Sequence, residues 1–475
     1  MNPEPKNQEL TKLLVLATVT SSFGTFQHGY SIWTIQNPAV TVLEFGNITS
    51  DKEDRSISAG SFAIVMFSFP LGGVLGSLAL RYLVDNLGRK GALLLTNFFT
   101  MLSSALLGLS KVVNVFEYAV FSRFLSGICS GAFSNMVPLY IEEISPVNLR
   151  GSLTMVPTLF LNLGHLVAQT LGYHTLLGNP KGYPLLLGFS GIVAFLSFTL
   201  LLFCPESPRF LWIQKQKEGK AKKILQQLRG AEDVEDEIGD LRLEALAEKA
   251  ERNMTVLKLL RCQQLRWHVI SVVVLMVGIQ IAGVIGVYDY SERIYNSAAA
   301  DKRKNRFLTI GLNCLTFSVA FGTMYTVDSV GRRFLLLLGF MICNMSCILL
   351  ALSLEIQAKV PSMIYVSGIL LNVFFAGHMI GPGSIPYIVS GEIFLQSSRA
   401  SAYVIGGFAN WFSRILLGVI FVQMEPHIGP FSLFIFWPLS MATFVYIFKM
   451  IPETSCTTFL EIQKLMEVRI AERNM

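Results

Sequence analysis

DNLGRK, at residues 85–90, and VDSVGRR, at residues 327–333, are the same short turn written twice in one chain of 475 residues. Their glycines, Gly88 and Gly331, lie 243 positions apart, each with an acid before it and two cations after it: Asp85 with Arg89 and Lys90, Asp328 with Arg332 and Arg333. Two further motifs keep nearly the same spacing. Glu143, seven residues before Arg150, returns as Glu392, seven before Arg399, an offset of 249. PESPR at 205–209, holding Glu206 and Arg209, returns in part as PET at 452–454, an offset of 247. Three motifs at an almost constant offset mark a duplication, so the chain is two similar units repeated in parallel.

Composition says what kind of unit this is. The chain is 52% hydrophobic and 15% charged, where a soluble protein carries about a quarter charged residues. Apolar runs of about 20 residues, the length needed to cross the hydrocarbon core, occur near 13–35, 58–80, 91–110, 113–140, 151–176, 184–204, 268–290, 307–327, 334–354, 362–390, 400–424 and 430–451. The expected fold is therefore an all-α membrane protein of twelve transmembrane helices in two six-helix halves. The expected divisions are a cytosolic tail at 1–12, a half at 13–204, a cytosolic helical loop at 205–267, a half at 268–451 and a cytosolic tail at 452–475. The polar start and the spanning length of the first apolar run argue against a cleaved signal. Lys and Arg crowd the central loop, at QKQKEGKAKK and LRCQQLRW, and the two glycine turns. The positive-inside rule then puts both termini and this loop in the cytosol, with the plasma membrane as the expected location. The loop also carries helical patterns at RFLWIQKQ, AKKILQQLRG and EIGDLRLEALAEKAE. Asn47, in the sequon Asn47-Ile48-Thr49 of the first outside loop, is a candidate glycosylation site.

Other classes of protein are disfavoured. No GxxxxGK[ST] loop is present for a nucleotide, and six scattered histidines show no HxxxH or HExxH spacing for a metal. No clustered acid–base or nucleophile set points to an enzyme. Seven scattered cysteines read as small buried apolar residues. The partners expected are a small-molecule substrate and the lipid bilayer, with no nucleic acid, nucleotide or cofactor, and a monomer.

The repeated motifs put acids and arginines where spans enter the cytosol: Asp85 with Arg89, Glu143 with Arg150, Asp328 with Arg332 and Arg333, and Glu392 with Arg399. Read as exposed pairs these would contribute only about 0–1 kcal/mol each, so a latch that forms when the cytosolic side closes and breaks when it opens suits them better. A rival reading makes them topology determinants only.

DNLGRK, VDSVGRR, PESPR, EISPVNLRG, GEIFLQSSRASA and PET together resemble the signature set of the sugar porters of the major facilitator superfamily. Within them the chain is similar to the facilitative hexose transporters. GHMIGPGSIP and EIFLQSSR are similar to the fructose-transporter subgroup. The resemblance runs from about residue 12 to 465. It implies a twelve-helix fold, alternating access and a sugar site between the halves.

A neutral polyol is held by uncharged donors and acceptors and an aromatic platform. Candidates within spans are Thr158, Gln280, His378, Asn410, Trp411 and His28. Thr158 and Asn410 sit at matching places, 252 apart. The family usually reads Gln-Gln-x-x-Gly-x-Asn in the seventh span. In that register this chain has Ile279, Gln280, Gly283 and Ile285, so two of the usual polar contacts are isoleucines. Thr158 stands where the family has glutamine, and His28 replaces a tyrosine. His378 fits the fructose subgroup, whereas Asn410-Trp411 fits the glucose-selective members.

In IQIAGVIGVYDY, residues 279–290, Gln280 falls about 18 Å up the seventh span from its cytosolic end, facing a cavity. Asp289, with Tyr288 and Tyr290, falls about 31 Å up, at an outer gate. Gly283, Gly286 and GPGSIP are expected to let the seventh and tenth spans bend. Arg414 lies about 21 Å into the eleventh span and is a candidate anion contact. Uniport of a hexose, fructose or glucose, is the expected function. The alternatives are a different solute, possibly anionic and urate-like, proton coupling through Asp289 and His28, and a non-transporting sensor or relic.

Overall fold

A computed structural model describes residues 10–36, 59–113, 115–173, 175–247, 254–298, 302–357, 359–455, 457 and 459–474. Asn47 lies outside the described residues, as does the side chain of Asp289. Among the described residues every regular element is helical. Nine helical segments of these residues are long and apolar enough to cross a membrane. Two of them hold two spans each: Ile64–Val113, divided at Gly88, and Gln396–Met450, whose helices are parted by a 3-10 stretch from Gly429. The first helix, Lys12–Gln36, is threaded with Thr and Ser and completes the twelve. Its hydroxyls turn back on their own backbone: Thr18 Oγ1 donates to the Leu14 carbonyl at 2.8 Å and Ser22 Oγ to that of Thr18 at 2.7 Å. A polar helix can stand in lipid only when its hydroxyls are satisfied in this way.

The chain forms two compact units, and they do not divide at the middle of the central loop. Met1–Thr255 joins with Leu395–Trp411, while Val256–Phe394 joins with Phe412–Met475. The expected loop at 205–267 is therefore shared, and the first half of the eleventh span belongs to the first unit. In that unit the loop supplies a π-helical turn, Phe210–Gln214, and the helices Glu218–Arg229 and Glu235–Ala247. Arg229 donates to the last carbonyl of the fourth span, Ile144, at 2.9 Å, so the loop caps the spans it lies under. The second unit begins with a short helix, Val256–Arg261, that no periodicity had indicated.

In the second unit both expected breaks are present. The seventh span is two helices, Arg266–Ile281 and Val284–Ala298, parted by Gly283 at φ 98°. The tenth is Met363–Ile380 followed by Ile385–Glu392, parted by the GPGS turn.

Candidate functional site

The glycine turns explain why the motifs repeat. Gly88 has φ 79° and Gly331 φ 97°, left-handed conformations that glycine adopts without strain. After each glycine a new helix starts with unpaired N–H groups, and a carboxylate from the end of the same repeat accepts them. Glu206 Oε1 takes the backbone N–H of Arg89 at 2.9 Å, of Lys90 at 3.1 Å and of Ser207 at 3.0 Å. In the second unit Glu453 takes those of Arg332 at 2.8 Å and Arg333 at 3.1 Å. An anion at a helix N-terminus is stabilised by orphan donors and macrodipole together. A Cβ on Gly88 would stand 2.4 Å from Glu206 Oε2, and one on Gly331 2.6 Å from Glu453 Oε2. Burial pushes the Glu206 carboxyl up from its ordinary value, opposed by the Ser207 and Lys90 donors and the Arg89 charge. Sequence reading named Glu206 but not Glu453, although PET marked its place.

The arginine after each glycine turns inward. Arg89 grips Glu143 with three hydrogen bonds, Nε to Oε2 at 2.8 Å and to Oε1 at 3.0 Å and Nη2 to Oε1 at 2.9 Å, with both side chains fully buried. The Phe210 ring lies 4.3 Å from the Arg89 guanidinium carbon. Arg332 meets Glu392 at 3.2 Å and Asp328 at 2.8 Å. The expectation of exposed pairs is thus corrected: the principal pairs are buried, and Asp85, expected beside Arg89, bonds Arg81 at 3.1 Å. Arg89–Glu143 lies within the first unit and Arg332–Glu392 within the second. Arg209 pairs with Glu244, and Arg150 is buried at the start of the fifth span.

The segment Leu395–Trp411 is held in the first unit partly by Gln396, Tyr403 and Glu142, which are not among the expected site residues. Gln396 Nε2 donates to Glu143 at 2.7 Å, and Tyr403 OH to Glu142 at 3.0 Å. Arg399 donates to Gln396 at 3.0 Å and stands 3.8 Å from Glu244. At the end of this segment Trp411 stacks on His28, ring centroids 5.5 Å apart, with Phe69 edge-on at 5.9 Å. Gly73 gives the indole room, since a Cβ there would stand 2.4 Å from it. His28 and Trp411, named independently, therefore form one aromatic platform. Asn410 is buried beside it in sequence, and Thr158 is half-buried on the fifth span, its carbonyl accepting Asn162 Nδ2 at 2.9 Å.

In the second unit the site residues gather at the broken helices. At the seventh-span break the Gly283 N–H bonds the Gln280 carbonyl at 3.1 Å. The Ile279 carbonyl loses its usual helical donor as a result and is met by His378 Nε2 at 3.3 Å. His378 is thus tied to the residue before Gln280, and both are buried. Ile279 is buried too, while Ile285 packs against the apolar cluster of Val287, Phe374 and Phe436. Tyr290 OH reaches Glu425 at 3.4 Å, and Tyr288 is exposed, edge-on to Phe375. Arg414 is half-buried on the eleventh span.

Twelve spans in two repeats, each clasped at its glycine-turn motif and carrying buried uncharged polar groups, define a membrane carrier of the major facilitator fold. The model of the family described as Sugar (and other) transporter matches residues 16–466, and the chain belongs to that family. It is 43% identical over 468 residues to "Solute carrier family 2, facilitated glucose transporter member 5" of Rattus norvegicus, covering 97% of this chain and 93% of that protein. The human member 7 is 38% identical over 474 residues, covering 98% of this chain and 93% of that protein. Among solved structures it is similar to the proton:xylose symporter XylE bound to 6-bromo-6-deoxy-D-glucose. The TM-score is 0.85 at 19% identity, covering 96% of this chain and 100% of that one.

Proposed function

We propose that this chain is a facilitative hexose carrier, a uniporter for fructose or glucose working by alternating access in the plasma membrane. The observation that carries the reading is the likeness to facilitated transporters along nearly the whole chain: 42% identity to human member 5 over 97% of it. Its sugar contacts are the His28–Trp411 platform with Thr158 and Asn410 from the first unit, and Gln280 with His378 from the second. Ile279 and Ile285 line the same stretch without donating. Imidazole, amide and indole groups suit a neutral polyol, because each gives a directed bond without the cost of an unpaired charge. The buried clasps at Glu143 and Glu392, with Asp85, Arg150, Glu206, Arg209, Asp328 and Arg399, form the cytosolic gate. Tyr288, Asp289 and Tyr290 form the outer one. Both termini are cytosolic, Asn47 is glycosylated outside, and the working unit is a monomer.

Purified protein in vesicles, given labelled fructose or glucose, tests this. Uptake is expected to reach equilibrium and to stop there, with or without a pH gradient. Accumulation above equilibrium driven by that gradient overturns uniport. Absence of flux for both hexoses overturns the transport reading.

A further inference from the structure

At the cytosolic end of the twelfth span, Phe436–Met450, two arginines from distant parts of the second unit converge. Arg333, the second cation of the GRR turn, donates from Nη2 to the Phe448 carbonyl at 2.6 Å. Arg469, on the terminal helix Phe459–Asn474, donates from Nη1 to the Lys449 carbonyl at 3.3 Å. The two guanidinium groups thus donate to the carbonyls of adjacent residues. Lys449, on the same last turn, adds an exposed third cation. The Glu453 carboxylate is already engaged by the backbone donors of Arg332 and Arg333.

Helix C-capping accounts for part of this, since both arginines satisfy terminal carbonyls. It does not account for the surplus. One exposed carbonyl needs one donor, whereas a guanidinium carries five in a planar fork. Arg333 Nε is buried without a hydrogen-bond partner among the described residues. The Arg333 guanidinium also lies 5.6 Å over the ring of Phe448, itself exposed on the surface of the span. Like charges are thus gathered where a hydrocarbon surface ends, with a spare donor fork and an aromatic ring beside them. A phosphate oxyanion answers this chemistry, because it accepts several charged donors at once and relieves their repulsion.

We propose that Arg333, Lys449 and Arg469 bind the phosphate headgroup of an anionic lipid, with Phe448 against its acyl region. The exposed ring at the membrane boundary favours a lipid over free phosphate. The assignment to the inner leaflet rests on the cytosolic placement of the termini proposed above; the binding itself does not.

The full chain in detergent is titrated with short-chain phosphatidylserine, short-chain phosphatidylcholine or inorganic phosphate, and adducts are counted by native mass spectrometry. This readout is independent of sidedness, so an error in the topology would leave it unchanged. Phosphatidylserine is expected to bind about ten-fold more tightly than phosphatidylcholine. Each cation near an anionic surface contributes roughly five-fold, so Lys449→Gln and Arg469→Gln should each weaken phosphatidylserine by about that factor. Arg469→Lys should retain most of it. Lys449→Gln leaves both caps in place, so it reports even where Arg469→Gln fails to fold. Equal affinity for the two lipids, or full phosphatidylserine binding by Lys449→Gln, overturns the site. Competition by inorganic phosphate at the lipid's own concentration overturns the lipid assignment.

Discussion

A buried guanidinium whose carboxylate is removed has nowhere to place its charge, and the two clasps can be ranked on that basis. Glu143→Gln removes the carboxylate paired with Arg89, whereas Glu392→Gln leaves Arg332 its pair with Asp328. Breaking a buried pair costs about 3–5 kcal/mol, so the first variant should lower the thermal midpoint of the detergent-solubilised protein markedly, and the second less. Asp85→Asn, at the half-exposed Arg81 pair, should move it by the equivalent of about 1 kcal/mol or less. The Glu206 carboxyl adds a pH signature. Its folded value is raised above the ordinary 4.5, so its contribution is full below that value and fades as pH rises through the folded one. Wild type should therefore gain stability relative to Glu206→Gln as pH falls from neutral towards the acid range; a constant difference between their melting curves would contradict the burial. The sequence displayed these charges and their repeat but not their depth. Phe210 is the reason: residues 205–214 fold back over Arg89, and nothing in their composition announces a return.

Among the elements, the broken spans are the part the sequence shows best. Gly283 and GPGSIP were readable as breaks because glycine and proline free backbone groups that a uniform helix would pair. What the break does with the freed group was not readable, since it depends on the tenth span bringing His378 to the Ile279 carbonyl. Two variants separate these roles. Gly283→Ala forces a side chain into φ 98°, at a cost of about 1–3 kcal/mol, and should cut hexose uptake more than it cuts membrane expression. His378→Ala leaves the carbonyl unanswered, a loss of about 1–3 kcal/mol, and should raise the KM for fructose; unchanged uptake in both would detach the break from the site. The short helix Val256–Arg261 escaped notice for a plainer reason, being too short to show a period.

Over the whole molecule, the count of twelve spans and the duplication were legible because lipid demands long apolar runs and the motifs recur at a near-constant offset. The division into compact units was not, for it follows contacts rather than chain order: Gln396, Tyr403 and Trp411 carry part of the second repeat into the first unit. A chain ending after Met450 should therefore keep all twelve spans yet lose Glu453, and hydrogen exchange at residues 332–336 should quicken in it. The order of these parts along the chain has a further consequence for synthesis. Glu206 and Glu453 leave the ribosome after every span of their own repeat, yet each closes a helix begun in the middle of it. The third and ninth spans must wait, uncapped, until the last span of their repeat has been made. Each carboxylate thus acts as a completion mark, fastening a repeat only once all six of its helices exist.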